Sequence, residues 1–367
     1  MPVSRRALFV LAGAGVLTAA GCGQVQVGRP ERYTPPPAGI DDLYRGDLLV
    51  LLQRLIASVE RLRADGGTAP SDGGGDSATT APSDGGGTGD DIAPTGDPAT
   101  VDVLTVLSMA LPVQREALLT GGQAERERER EDDPDPKLQV TPVPVETASD
   151  VAGVVDLLVE LRDLCAQAAR QVSGSLARPV IAVGAHSMWA AGRLSSASGQ
   201  GTVTASPEAE SIVPTREVPE HDPPSIGAEV DYHALLETAQ RDEWYAGYVH
   251  EVLAAGTQDE AREAHLATVD THRTRAEELT LIAEQDGAPV VARQAVYPLP
   301  GGILTPVSRV QLPIEVDESL LVAHIALVGA APFERRALPI AAALQQAAQL
   351  AVPTSRMPPL PSLEPEA

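Results

Sequence analysis

Two helical patterns joined by a short breaker constrain the fold of this chain more than any other feature. Apolar residues recur at helical spacing over 231–253 and again over 258–284, with Ala254-Ala255-Gly256-Thr257 between them. A connection this short makes consecutive helices run antiparallel. The pattern therefore predicts a helical hairpin that buries one face of each helix.

The predicted buried faces carry titratable side chains. At about 100° per residue, the apolar stripe of the first helix includes Glu243 and His250, and that of the second includes His265 and His272. Residues at equal distance from the turn meet, so Glu243 is expected near His272 and His250 near His265. Carboxylate and imidazole groups bind transition metals, which makes these four residues the candidate metal ligands. The alternative is a hydrogen-bonded polar layer that fixes the helix register.

Composition favours an all-α fold. Only 3% of the residues are aromatic, whereas strand cores are rich in aromatic and β-branched side chains. The formal charge of −24 is expected to repel nucleic acid and anionic lipid headgroups alike, so no nucleic-acid partner is predicted.

Residues 1–22 read as an export signal rather than as part of the fold. Arg5 and Arg6 precede an apolar run over 7–20 that is too short to span a membrane, and Ala19-Ala20-Gly21-Cys22 follows. The segment resembles a bacterial lipoprotein signal, and this resemblance implies that Cys22 is acylated and anchors the protein to the outer face of the cell membrane. An unmodified Cys22 near a cleavage site is the alternative. The arginine pair also resembles a twin-arginine signal, so the export route stays open.

Spacers divide the rest of the chain into two predicted helical parts. Glycine, proline and serine concentrate in segments that cannot bury enough apolar area to offset their ordering entropy. The predicted organisation is a tether over 23–40, an N-terminal helical module over 41–195 with a disordered insert at 66–100, a linker over 196–227, a four-helix bundle over 228–351, and a loose proline-rich tail over 352–367.

Helical periodicity also places the remaining elements. The N-terminal module is expected to contain helices over 41–64, 101–119 (kinked or broken at Pro112), 151–172 and 179–194, with the alternating charges of 125–131 on a solvated extension. The bundle is expected to continue with an irregular crossing over 287–316 and helices over 317–329 and 332–350, the last kinked at Pro339. Cys165 falls on a core stripe, so we predict no disulfide.

Two helices, a long crossover and two more helices is the connectivity of a ferritin-like bundle. Over 231–350 the chain resembles the ferritin-like domain of unknown function found in bacterial envelope lipoproteins, through Glu243-Trp244-Tyr245-Ala246-Gly247-Tyr248, His272-Arg273-Thr274-Arg275 and Tyr297-Pro298-Leu299-Pro300. The resemblance implies a fold and a cell-envelope location but no activity. A complete carboxylate-bridged pair of metals is not expected, because Val269 and Arg262 stand three residues before the two histidines, where such sites place glutamate.

The face opposite the stripe suggests a different class of function. Trp244, Tyr245 and Tyr248 lie within five residues and could dock either the N-terminal module or another envelope protein. Binding or scaffolding is therefore the leading hypothesis. The alternative is a metal-binding or metal-dependent redox protein, with a transition metal ion as the cofactor. Whether the protein is an enzyme stays open, although no nucleophile elbow or phosphate-binding glycine loop indicates a hydrolase.

Overall fold

The computed structural model describes residues 38–65, 97–132, 145–199, 205–218 and 229–363. These residues form α-helices, two short 3-10 helices and loops, with no strand among them, so the all-α prediction is confirmed. The helices are α1 (Ile40–Asp65), α2 (Pro98–Leu118), α3 (Gly121–Asp132), α4 (Val151–Gln171), α5 (Gly174–Ala197), α6 (Glu229–Ala255), α7 (Asp259–Asp286), α8 (Pro306–Ala330) and α9 (Ala337–Leu350). Within these ranges no helix combines the length and apolarity that crossing a membrane requires.

Local chemistry explains several helix boundaries. The carboxylate of Asp150 accepts a hydrogen bond from the backbone N–H of Gly153, which caps α4 at the predicted place. Helix α7 ends at Gly287, which adopts a left-handed conformation (φ 69°) that glycine accepts without strain.

The predicted irregular crossing over 287–316 is wrong in its second half. Helix α8 begins at Pro306, because Thr305 and Ser308 form a reciprocal capping box and Pro306 fits the first turn. Pro313 lies inside the helix and does not end it. The crossing is therefore confined to 287–305, and α8 is much longer than the sequence pattern predicted.

Two other predictions placed a helix start or a kink wrongly at a proline, and a third left open whether Pro112 kinks or breaks its helix. Helix α5 starts at Gly174 rather than at Pro179, which lies within the helix. Helix α9 starts at Ala337, after a 3-10 turn over Phe333–Arg335, so Pro339 sits in its first turn. Backbone N–H groups there have no intrahelical partner, so proline costs nothing and produces no interior kink. Helix α2 is a single helix that contains Pro112.

The N-terminal and C-terminal helices share one hydrophobic core. Helix α5 packs against α2, α4, α8 and α9, and it is buried on nearly every face. The core that surrounds Trp189 of α5 includes Leu158 of α4, Ile325 of α8 and Leu344 of α9. The described part of the predicted linker is attached to the same body: Ile212 is buried, and Arg216 pairs with Asp47 of α1.

The proline-rich tail is not loose, at least as far as residue 363. Trp189 Nε1 donates to Thr354 Oγ1 (3.0 Å), Gln114 Nε2 donates to the backbone oxygen of Pro359 (2.9 Å), and Arg178 donates to Ser362. These bonds fix the tail to α2 and α5. The predictions for the signal segment, Cys22, the tether as far as residue 37 and the insert over 66–96 lie outside the described residues.

Candidate functional site

Glu243 is the centre of a buried polar cluster between α6, α7 and α8. Its carboxylate is fully buried, and its Oε2 lies 2.7 Å from Nδ1 of His272. Its Oε1 lies 2.7 Å from Nε2 of His324 and accepts from Nη1 of Arg275 at 2.9 Å. The meeting of Glu243 with His272 is what the hairpin geometry predicts, whereas its contacts with Arg275 and His324 were not predicted.

The electrostatics keep Glu243 ionised. Burial alone would raise the pKa of this carboxyl, but the charge of Arg275 and the hydrogen bonds from His272 and His324 lower it well below its usual range. An ionised carboxylate can only accept hydrogen bonds. The two imidazole nitrogens that face Glu243 must therefore carry protons.

This proton arrangement decides which atom of His272 is available to a ligand. Because Nδ1 donates to Glu243, the ring carries its lone pair on Nε2 whenever it is in its neutral form. That Nε2 is buried and has no hydrogen-bond partner among the described residues. A carboxylate behind a histidine is a usual way of orienting the ring toward a metal ion.

His250 and Asp317 complete a group of three potential ligands with His272. One donor atom from each residue lies within 4.8 Å of the other two. His250 is 6% exposed, His272 0% and Asp317 8%. The Nε2 of His250, like that of His272, is buried without a hydrogen-bond partner in the described part of the chain. Two imidazoles and one carboxylate therefore converge in a site that largely excludes water.

The environment keeps His250 neutral. Burial, with smaller effects from the neighbouring His272 and His265, lowers the pKa of His250 to about 3. Its Nδ1 lies 3.1 Å from Nδ1 of His265, so the predicted meeting of these two residues is also observed. His265 orients His250 in this arrangement and lies outside the three-donor group.

Asp317 is held by the layer behind it. With its side-chain amide oriented to suit its neighbours, Gln346 of α9 donates to Asp317 Oδ1 (3.0 Å) and accepts from Arg275 Nη1 (3.1 Å). Burial raises the pKa of Asp317 to about 6, against the opposing effect of His272 and Arg275. The carboxyl group of Asp317 is thus fixed in place, and a bound cation would lower its raised pKa by stabilising the ionised form.

The four ligands predicted from the sequence divide into two roles. His250 and His272 belong to the three-donor group. Glu243 contacts Nδ1 of His272, and His265 contacts Nδ1 of His250. Asp317 was missed because the sequence pattern placed it at the start of a short helix. In the structure it lies in the middle of α8, on the same buried face as Leu320 and His324, and that seven-residue spacing was the available signal.

The aromatic residues of α6 contact the crossing segment. Trp244 Nε1 donates to the backbone oxygen of Val291 (3.2 Å), and the ring packs against Tyr297. The rings of Tyr245 and Tyr248 lie 6.0 Å and 5.4 Å from that of Tyr297. The junction with the N-terminal helices is formed instead by α5 with α8 and α9. Docking of these aromatics to another protein stays a prediction.

The site lies in a part of the chain that sequence comparison recognises. Residues 235–364 match the family described as Domain of unknown function (DUF4439). The matched range contains every residue of the polar cluster and most of the packed tail, so both belong to the DUF4439 region. Comparison with curated proteins and with solved structures finds no match.

Proposed function

We propose that the DUF4439 region binds one divalent transition-metal ion through His250, His272 and Asp317. The observation that carries this proposal is that His250 and His272, whose buried Nε2 atoms have no hydrogen-bond partner among the described residues, form a three-donor group with the buried carboxylate of Asp317. With Nδ1 of His250 donating to His265 and Nδ1 of His272 donating to Glu243, both Nε2 atoms carry lone pairs, and a metal ion satisfies them and the carboxylate charge at once.

A purely structural polar layer accounts for only part of the cluster. It explains Glu243 with Arg275 and Nε2 of His324, which are joined by hydrogen bonds and ion pairs, although Nδ1 of His324 has no partner among the described residues. It gives no partner to the Nε2 atoms of His250 and His272, and a buried polar atom without a partner costs about 1–3 kcal/mol. Metal coordination removes that cost.

The donor set indicates which ions fit. Two imidazoles and one carboxylate suit Zn²⁺ or Fe²⁺ and leave at least one coordination position for water or another ligand. Ligand atoms about 2.0–2.2 Å from one ion in a tetrahedral site lie about 3.3–3.6 Å apart. The donor atoms here lie within 4.8 Å of one another, so side-chain rotations that close the group by up to about 1.5 Å would bring all three onto one ion. Open positions would also support the metal-dependent redox chemistry considered from the sequence.

The test is metal binding by untagged protein. Elemental analysis after incubation with Zn²⁺ or Fe²⁺ and removal of excess ion is expected to give one ion per chain, and Co²⁺ is expected to give visible absorption bands of a nitrogen–oxygen site. His250→Ala and Asp317→Asn should each abolish tight binding. His233→Ala is the matched control, because His233 lies on the same helix outside the group. Substoichiometric metal in the parent protein, or equal binding by all variants, refutes the proposal.

We further propose that the protein is exported and anchored by acylated Cys22 at the outer face of the cell membrane. The support is the arginine pair, the short apolar run and the small residues before the cysteine. Mass spectrometry of the mature N-terminus is expected to show a lipid-modified Cys22. A Cys22→Ala variant that fractionates with membranes as efficiently as the parent would contradict the anchor.

Scaffolding in the cell envelope is the second candidate function. It is favoured by exposed apolar side chains beside the aromatic cluster and at the start of α8, namely Val296 (68% exposed), Ile303 (77%) and Val307 (64%). A photo-crosslinking residue at Ile303 is expected to trap a discrete envelope protein, whereas the same residue at the exposed, polar Gln311 is not. Equal trapping at both positions counts against a specific partner.

A further inference from the structure

The packed tail forms one wall of a cavity whose lining is more apolar than the polar cluster. This cavity has a volume of about 530 Å³ and lies between α5, α8, the end of α9 and the tail. Leu321, Val322, Leu350 and Met357 form much of its apolar lining. Its volume falls within the range of about 300–1,000 Å³ that is usual for small-molecule sites.

The walls of the cavity are held in place. Thr354 accepts from the indole of Trp189, and the Pro359 backbone oxygen accepts from Gln114. Ser362 accepts from the guanidinium of Arg178, which itself lines the cavity. Three side chains from α2 and α5 therefore fix the tail along its length, so the cavity does not depend on a loose segment.

Two guanidinium groups give the cavity a charge preference. Arg178 and Arg356 both line it, whereas Glu318 is its one acidic lining residue. No ion pair within 4.0 Å joins Glu318 to either arginine in the part of the chain that the structure describes. Arg356 is exposed and stands alone as a basic residue in the sequence after Arg336.

An apolar side chain at the cavity also lacks cover. Val322 is 44% exposed although it lies next to the buried Leu321 on the cavity wall. A ligand with an apolar chain would cover this surface. A ligand with an acidic head would engage the arginines, since guanidinium groups bind carboxylate and phosphate through paired hydrogen bonds.

We infer that this cavity binds a small amphipathic anion, consisting of one carboxylate or phosphate head and an apolar chain. The head lies against Arg356 and Arg178, and the chain lies against Leu321, Val322 and Met357. None of these residues belongs to the group of His250, His272 and Asp317, so the inference stands or falls independently of the metal site.

The test uses the full mature chain and the fluorescent fatty acid 11-(dansylamino)undecanoic acid. Saturable binding at one site per chain is expected, with blue-shifted dansyl emission because the probe enters an apolar cavity. Arg356→Gln is expected to weaken binding about 10-fold or more, the usual effect of losing a hydrogen bond to a charged group. Arg262→Gln is the matched control, because Arg262 is exposed on α7 and does not line the cavity.

Three further measurements make the inference refutable. Val322→Trp, which fills the cavity, should remove binding even if Arg356→Gln only weakens it. The methyl ester of the probe should bind as weakly to the parent protein as the acid binds to Arg356→Gln. Displacement by dodecanoate or by dodecyl phosphate identifies which head is preferred. Equal binding of acid and ester, or unchanged affinity in both cavity variants, overturns the inference.

Discussion

Acid is expected to destabilise this protein through His186, a residue outside both proposed sites. His186 is fully buried in α5, and neither ring nitrogen has a hydrogen-bond partner among the described residues. Its ring packs at a tilt against Trp189, with 5.4 Å between the ring centroids. Burial lowers the pKa of His186 from 6.5 to about 4, because the charged imidazolium has no compensating contact.

The direction of the pH effect follows from this depressed pKa. Between pH 6.5 and about 4, His186 is protonated in the unfolded chain but not in the folded chain. The free energy of unfolding therefore falls as the pH falls towards 4. At about 1.36 kcal/mol per pKa unit, the loss from this residue reaches about 2.5 kcal/mol at a pH near 4.5. A domain is stable by only about 5–15 kcal/mol, so the loss is measurable.

The assay compares urea unfolding at pH 7 and at a pH near 4.5. A chelator is present so that pH-dependent metal binding does not contribute to the change in stability. Other histidines also contribute to the acid sensitivity of the parent, so the informative quantity is the difference between the parent and His186→Leu. The variant should lose about 2.5 kcal/mol less on acidification. His233→Leu, which changes a partly exposed histidine on α6, is the matched control. If His186→Leu is as acid-sensitive as the parent, the reasoning is refuted.

Three other expectations follow from single contacts. Glu243→Gln should weaken metal binding about 10–100-fold, measured by competition with a chromophoric chelator, because His272 loses the carboxylate that fixes its proton on Nδ1. Gly184→Ala should destabilise the protein by about 1–3 kcal/mol in urea unfolding, since the new Cβ would stand 2.8 Å from Cβ of Cys165, whereas Gly46→Ala meets nothing within 4 Å and should be neutral or stabilising. Iodoacetamide should label Cys165 only after unfolding, because burial strongly raises the pKa of its thiol.

The hairpin could be predicted because its information is local. The positions of Glu243 and His272 about a short turn are enough to bring them together, and the observed 2.7 Å contact needs no knowledge of other helices. The same holds for His250 and His265, which meet at 3.1 Å. Within a pair of antiparallel helices, spacing from the turn fixes which side chains meet.

The other half of the cluster could not be predicted in the same way. Asp317 and His324 reach the site only because α8 starts at Pro306 and continues through Pro313. A prediction from sequence pattern ends a helix at a proline. Helix α8 nevertheless continues, because the Thr305 and Ser308 capping box and its packing on α6 stabilise it. Tertiary contacts outweighed local preference in the segment that contains Asp317, the third of the proposed ligands.

The shared core has a similar explanation. Residues 180–191 of α5 are buried on all sides, and their sequence is apolar or small around the whole helix. A helix of that composition belongs in the centre of a protein rather than on the face of a separate module. Gly184 allows its close approach to α4, and the neighbouring α8 and α9 cover the rest.

Helix α8 carries residues of both proposed sites. His324 contacts Glu243 and Asp317 belongs to the three-donor group, while Leu321 and Val322 line the cavity closed by the tail. Because Asp317 and Leu321 are four residues apart and lie on the same side of the helix, a rotation of α8 large enough to admit a ligand would also move Asp317. The contacts of Asp317 with Gln346 and of His324 with Glu243 oppose that rotation. The cavity is therefore expected to accept its ligand by movement of the exposed Arg356 and not by movement of α8, so metal affinity should be the same with and without the fatty-acid probe.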